Sequence, residues 1–147
     1  MQQYKRVLFP IDFSEDSIRA LDDVITICQE NNSELFILYA YRLIDSIQGR
    51  ENTSRVSLKR EIDRYAADQF SQLERNVLCN SGVKYSFLSE VGFLNDRILF
   101  NAKSLNVDLI VIGAKMQERM HEKSISSEAE FVDKLTCPVM LIPATAN

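Results

Sequence analysis

The chain has 147 residues, 46% of them apolar and 26% charged, with a formal net charge of −4 and a sequence pI near 5.1. These values suit one globular domain, residues 1–147, and lack the basic face or stripe that a nucleic-acid binder needs. No apolar run approaches the ~20 residues that span a bilayer. "MQQYKRVLFPID" enters a strand at once, without the pattern of a signal peptide, so the expected location is the cytoplasm, with neither membrane nor nucleic acid as a partner.

In chain order, "YKRVLF" predicts a first strand, which Pro10 ends by removing a backbone donor. Ser14 has the chemistry of a helix N-cap, and Glu15 and Asp16 follow where the helix dipole favours carboxylates. Ile18, Leu21, Val24 or Ile25, and Cys28 then recur at helical spacing. "ELFILYAY" is apolar almost throughout, as a strand covered on both faces should be. The poorly periodic "RLIDSIQGRENTS" leads into a long amphipathic helix with the stripe Leu58, Ile62, Tyr65 or Ala66, Phe70, Leu73 and Val77. The mixed cluster from Arg50 to Arg60 reads as a solvated helix face, and Gly82 marks the stop of this helix.

"VKYSFLSEV" predicts the third strand, ended by Gly92. Asn95 is then the expected cap of the next helix, with Leu94 and Leu99 spaced as a hydrophobic staple. "DLIVIG" is a fourth strand of the central type. Ser127 and Glu130 form a capping box ahead of Phe131, Val132 and Leu135, and "VMLIP" closes the chain as a fifth strand. Strict alternation of strand and helix implies an α/β fold: a parallel sheet, right-handed crossovers, helices on both faces.

Cys28, Cys79 and Cys137 are odd in number and include no CxxC pair, so packing is their expected role. His121, the only histidine, has charged neighbours and reads as a surface residue. A metal site or a histidine-based nucleophile needs more partners than that. No HxGH stretch is present.

Ligands of open parallel sheets sit outside the carboxyl ends of the strands, where strand order reverses. Asp12 follows the first strand and Gly113 the fourth, so both would face one crevice if those strands were neighbours, which periodicity alone does not establish. The blocks "KRVLFPIDFSEDSIRAL", "ELFILYAY", "DLIVIGA" and "SSEAEFVDKLTCPVMLIP" resemble the universal stress protein family from end to end of the chain. The resemblance implies a Rossmann-like, five-stranded parallel sheet of order 3-2-1-4-5, related to the adenine nucleotide alpha hydrolase fold, and a homodimer paired through the C-terminal strand. An uncovered apolar edge strand would be a liability, which agrees with such pairing.

The nucleotide-binding branch of that family has a pattern G-x-x-G, nine residues, then G-[ST]. Laid on this chain without gaps, it falls on Gly113, Met116, Ser126 and Ser127, so spacing is kept and two of three glycines are gone. The resemblance also brings Asp12 near a ribose or a phosphate-bound metal, and the backbone around Ala40 near a base. Glycine lets amides approach a phosphate and accepts φ > 0. A non-glycine residue forced left-handed costs about 1–2 kcal/mol, and ~1.4 kcal/mol is tenfold in affinity, so two replacements could weaken a site about a hundredfold. Glu128 adds an anion where a phosphate would want the bare helix dipole.

Two readings of the segment follow. In the first, "AKMQERMHEKS" folds into a short helix, its cations pair with Glu118 and Glu122, and Met116 and Met120 pack over the vacated crevice. In the second, Lys115, Arg119 and Lys123 replace with side chains what the backbone no longer offers. Asp12 has two readings as well, site residue or cap of the first helix in place of Ser14. The expected function is a non-enzymatic, homodimeric stress-response or signalling protein with weak or no ATP binding and no resident cofactor. The alternative is a sensor of ATP, with Mg, or AMP. A slow ATP hydrolase has least support, because no residue is evidently placed to activate water.

Overall fold

The computed structural model describes residues 3–43, 54–123 and 128–144. The elements are β1 (Arg6–Pro10), α1 (Glu15–Asn31), β2 (Glu34–Tyr41), α2 (Arg55–Leu73), β3 (Lys84–Val91), α3 (Leu94–Ser104), β4 (Leu109–Gly113), α4 (Ala114–Lys123), α5 (Glu128–Asp133) and β5 (Val139–Ile142). All four strand pairs are parallel and the order is β3-β2-β1-β4-β5, the expected one, with β1 beside β4.

Side chains of successive strand residues point to opposite faces, so an all-apolar strand feeds two cores. On one face Val7, Phe9, Leu35, Ile37, Leu109 and Val111 pack under α1 and α2. On the other, Leu8, Leu38, Ile110 and Ile112 pack under Ile98 and Ala102 of α3 and the two methionines of α4. Burial follows the expected stripes, and within α2 it is Ala66, fully buried, that faces the sheet, while Tyr65 stays exposed.

Local signals explain where the helices begin and end. Ser14 caps α1 by accepting from the Ser17 amide, as its position suggested. A single π turn, Glu74–Leu78, prolongs α2 towards Gly82 at φ 75°. Lys59 on α2 pairs with Asp63 one turn later, as a solvated face allows.

Three expectations need correction. Helix α3 starts at Leu94 with Phe93 as its uncapped entry, so Asn95 lies inside the first turn and is buried instead of capping. With Leu94 itself helical, no residue outside the helix remains to form a staple with Leu99. Cys79 is exposed after the π turn, its thiol donating to the Arg75 carbonyl at 3.4 Å, so packing describes only buried Cys28 and half-buried Cys137. Burial pushes the Cys28 thiol up to about 11, which makes it inert at neutral pH. Among the described residues no helix is long and apolar enough to cross a membrane.

Candidate functional site

Parallel pairing brings the carboxyl ends of β1 to β4 to one edge of the sheet. The Ile11 amide donates to the Leu38 carbonyl at 2.8 Å, and the Gly92 amide to the Tyr41 carbonyl at 2.8 Å, which locks three strand exits together. They form the wall of a crevice of about 270 Å³ lined by Asp12, Ala40, Arg42, Phe93, Met116 and Arg119, among others.

At the β1 exit, Asp12 Oδ1 accepts from the Ser14 amide at 3.1 Å, the Ser14 hydroxyl at 2.6 Å and the Ser17 hydroxyl at 2.6 Å. Its Oδ2 takes the Arg119 guanidinium. Three of these bonds converge on Oδ1, and the guanidinium alone takes Oδ2. Burial alone would raise the Asp12 pKa; the bonds from Ser14 and Ser17, with the Arg119 charge, outweigh burial and hold it below the usual carboxylate range. Asp12 is therefore neither the cap nor a free site residue. It braces the capping serine while standing in the crevice wall.

Phe13 follows at φ 63°, a left-handed conformation that costs a non-glycine residue about 1–2 kcal/mol. Aromatic neighbours hold it there: its ring lies 5.2 Å from Tyr39, 6.1 Å from Phe87 and 6.2 Å from Tyr65. The distortion turns the chain sharply between β1 and α1 and keeps the Asp12 carboxylate against the serines.

At the β4 exit there is no loop. Gly113 ends the strand and Ala114 opens α4 directly, because Ala, Lys, Met, Gln, Glu and Arg are all strong helix formers. Beyond its first turn such a helix commits its amides to internal bonds, and they cannot cradle a phosphate. Met116 and Met120 are each 5% exposed, closed over the crevice as the helical reading had them. The same reading paired the cations with Glu118 and Glu122, and for Arg119 this is wrong: it reaches across to Asp12, 107 residues away. An opposed, partly shielded carboxylate is a better partner than an exposed i−1 neighbour that points elsewhere on the helix.

The site residues proposed from the sequence separate accordingly. Asp12, Ala40 and Met116 share the crevice. Gly113 lies beneath it with α1 as its neighbour, where an added Cβ would sit 3.9 Å from both Ala20 Cβ and Asp16 Oδ2. Ser126 and Ser127, with the first half of the capping box, fall outside the described residues.

Sequence reasoning missed the contribution of "GFLN" after β3. Gly92, at φ 146°, brings the chain against Arg97, whose Cδ would be 2.8 Å from any added Cβ. Phe93 lies under the Arg42 guanidinium at 4.1 Å. Asn95 is 4% exposed, and its Oδ1 is sealed from water without a hydrogen-bond partner. A glycine at a strand end followed by an aromatic residue was the available signal, and it was read only as a stop.

An open parallel sheet with its crevice at the β1/β4 reversal defines the Rossmann-like class of α/β protein. Within that class, residues 3–143 match the Universal stress protein family, and the chain belongs to it. It is 28% identical to the universal stress protein YxiE of Bacillus subtilis (strain 168), covering 95% of this chain and 99% of that one. The fold is shared with hypothetical protein MJ0577 (TM-score 0.75, 24% identity, 99% and 100% of the two chains). It is shared also with the universal stress protein UspA from Lactobacillus plantarum (TM-score 0.71, 24% identity, 97% and 99%). More distant structures include a universal stress protein in complex with cAMP (TM-score 0.59, 20% identity, 98% and 100%). Another is the universal stress protein from Archaeoglobus fulgidus in complex with dAMP (TM-score 0.64, 15% identity, 96% and 99%).

The described residues at the crevice do not present the glycine-lined loop of the nucleotide-binding pattern: Ser14, Ser17 and the Arg119 guanidinium engage Asp12, Met116 stands at the position of the second glycine, and residues 114–123 are helical. Among the described residues no cluster of three metal-ligating side chains occurs.

Proposed function

We propose that this protein is a non-enzymatic, cytoplasmic stress-response or signalling member of its family whose crevice does not hold ATP at useful affinity. The observation that supports this best is the Arg119–Asp12 pair, which spans the crevice above two buried methionines. A carboxylate engaged by two serines and a guanidinium and held below its usual pKa is also a poor base for activating water, which argues against hydrolysis. Titration calorimetry with ATP and Mg²⁺ tests the reading. No saturable heat below millimolar ATP is expected, and stoichiometric binding in the low micromolar range would overturn it.

The second reading, an adenine-nucleotide sensor, draws on the relatives that carry cAMP and dAMP. The same calorimetry with AMP and cAMP separates the two readings.

The protein also works as a homodimer paired through β5. That strand is an edge whose Leu141 is 48% exposed, and Val132 beside it is 56% exposed, so the apolar border is uncovered in a lone chain. Light scattering should give twice the chain mass, falling to one for Leu141→Lys.

A further inference from the structure

We infer that a second cavity, separate from the crevice, is a binding site for a neutral single-ring molecule that carries one hydroxyl, a simple phenol being the type. The site goes beyond the function proposed above and is independent of whether the crevice takes a nucleotide.

The cavity has a volume of about 180 Å³ and lies between α3, α4, α5 and the strands β4 and β5. An apolar cavity of about 150 Å³ is enough to take a benzene ring, so this size suits one ring with a small substituent. Ile112, Met120, Phe131, Leu135 and Val139 form most of the wall. Of the described residues that line it, none carries a charge. An ion would be stripped of water here without a compensating partner, so the occupant is neutral. The wall also favours a ring over an alkyl chain, because Phe131 offers an aromatic face and Met120 a thioether, and both gain from ring contacts.

Asn95 supplies the reason to expect a ligand there. It lines the cavity, is 4% exposed, and its Oδ1 is sealed from water without a hydrogen-bond partner. A buried acceptor left unpaired is costly and uncommon in a folded protein. The last torsion of an asparagine is broad, so a turn of the amide presents that oxygen to the cavity, where a ligand hydroxyl donates to it. A side chain buried this deeply is beyond the reach of a docking protein surface but within reach of a small molecule. Val132 and Leu141, 56% and 48% exposed, stand at the outer side of the cavity and mark the way in.

Titration of the full chain with p-cresol and toluene, which differ by one hydroxyl, tests this by calorimetry and by the methionine methyl signals in NMR spectra. Both should bind, p-cresol about tenfold more tightly, equivalent to ~1.4 kcal/mol. The Met120 methyl signal should shift, while that of Met140, which packs against the opposite core, stays in place. Asn95→Leu should bring the two affinities together, and Leu135→Trp should weaken both at least tenfold. Absence of binding at millimolar concentration would overturn the inference, as would equal affinities for the unmodified chain or a Met120 signal that does not move. A tenfold gap that survives Asn95→Leu, or an indifferent Leu135→Trp, would do the same. Binding of p-cresol by Leu141→Lys but not by the unmodified chain would also overturn it, since a second copy would then be the occupant. The Met120 signal is read on the unmodified chain, so the test stands even if a substituted chain misfolds.

Discussion

The two strand exits that flank the crevice have diverged in opposite ways. The β1 exit keeps an acid, two serines and a strained aromatic residue in one hydrogen-bonded knot. The β4 exit has no loop and runs straight into a helix that presents methionines and an arginine. The ion pair between Asp12 and Arg119 joins the two. In the proposed reading, the crevice is closed to a triphosphate without deleting its acid, because two serines and Arg119 engage the carboxylate and residues 114–123 fold into a helix.

The largest expected effect lies on the β1 side. Phe13→Ala removes a buried ring from the Tyr39–Tyr65–Phe87 cluster, and loss of such a ring costs about 3–5 kcal/mol with no relief of backbone strain, since alanine also has a Cβ. Urea denaturation should show the shift as a lower midpoint at unchanged slope. The β4 side should instead respond in binding. Met116→Gly weakens the helix by about 1 kcal/mol, but combined with Ser126→Gly it should raise Mg-ATP affinity by roughly tenfold or more, an amount worth ~1.4 kcal/mol. An unchanged isotherm would mean that helix α4 is not what keeps the triphosphate out.

The ion pair predicts an acid limb. Asp12 titrates lower in the folded chain than in the unfolded one, so its contribution to stability is complete above the unfolded value, about 3.9. It is lost as pH falls through the lower folded value. Asp63, held down by Lys59, Tyr41 and Ser89 against the opposing effect of burial, acts in the same direction. Thermal melts between pH 6 and pH 2 should therefore fall less steeply for Asp12→Asn than for the unmodified chain. An identical slope would detach Asp12 from the acid response.

The smallest effect separates two glycines. Gly113→Ala should change stability by no more than about 0.5 kcal/mol, the range of harmless substitutions, because its added Cβ meets only ordinary contacts at 3.9 Å. Gly92→Ala should cost clearly more by the same melt, since both its φ of 146° and the Arg97 side chain oppose a Cβ.

Much of the fold was legible because it is local. Ser14 caps α1, the apolar runs "ELFILYAY" and "DLIVIG" are interior strands, and the helix-forming composition after Gly113 did form a helix. The site was legible only in part. Asp12 and Met116 were placed correctly on the crevice, but Asn95 looked like a cap because a polar residue before an apolar run has that signature whether it ends up outside the helix or buried in its first turn.

Residue order by itself determined which segments are strands and helices and which faces of them are apolar, because those properties depend on neighbours within a few positions. Tertiary structure alone decided that Arg119 answers Asp12 across 107 residues, that Gly92 and Phe93 complete the wall, and that Asn95 faces two cavities without a partner. The reason is physical: charge pairing, burial and enclosed space are set by distances between elements, and those distances exist only after the sheet has brought four strand ends to one edge.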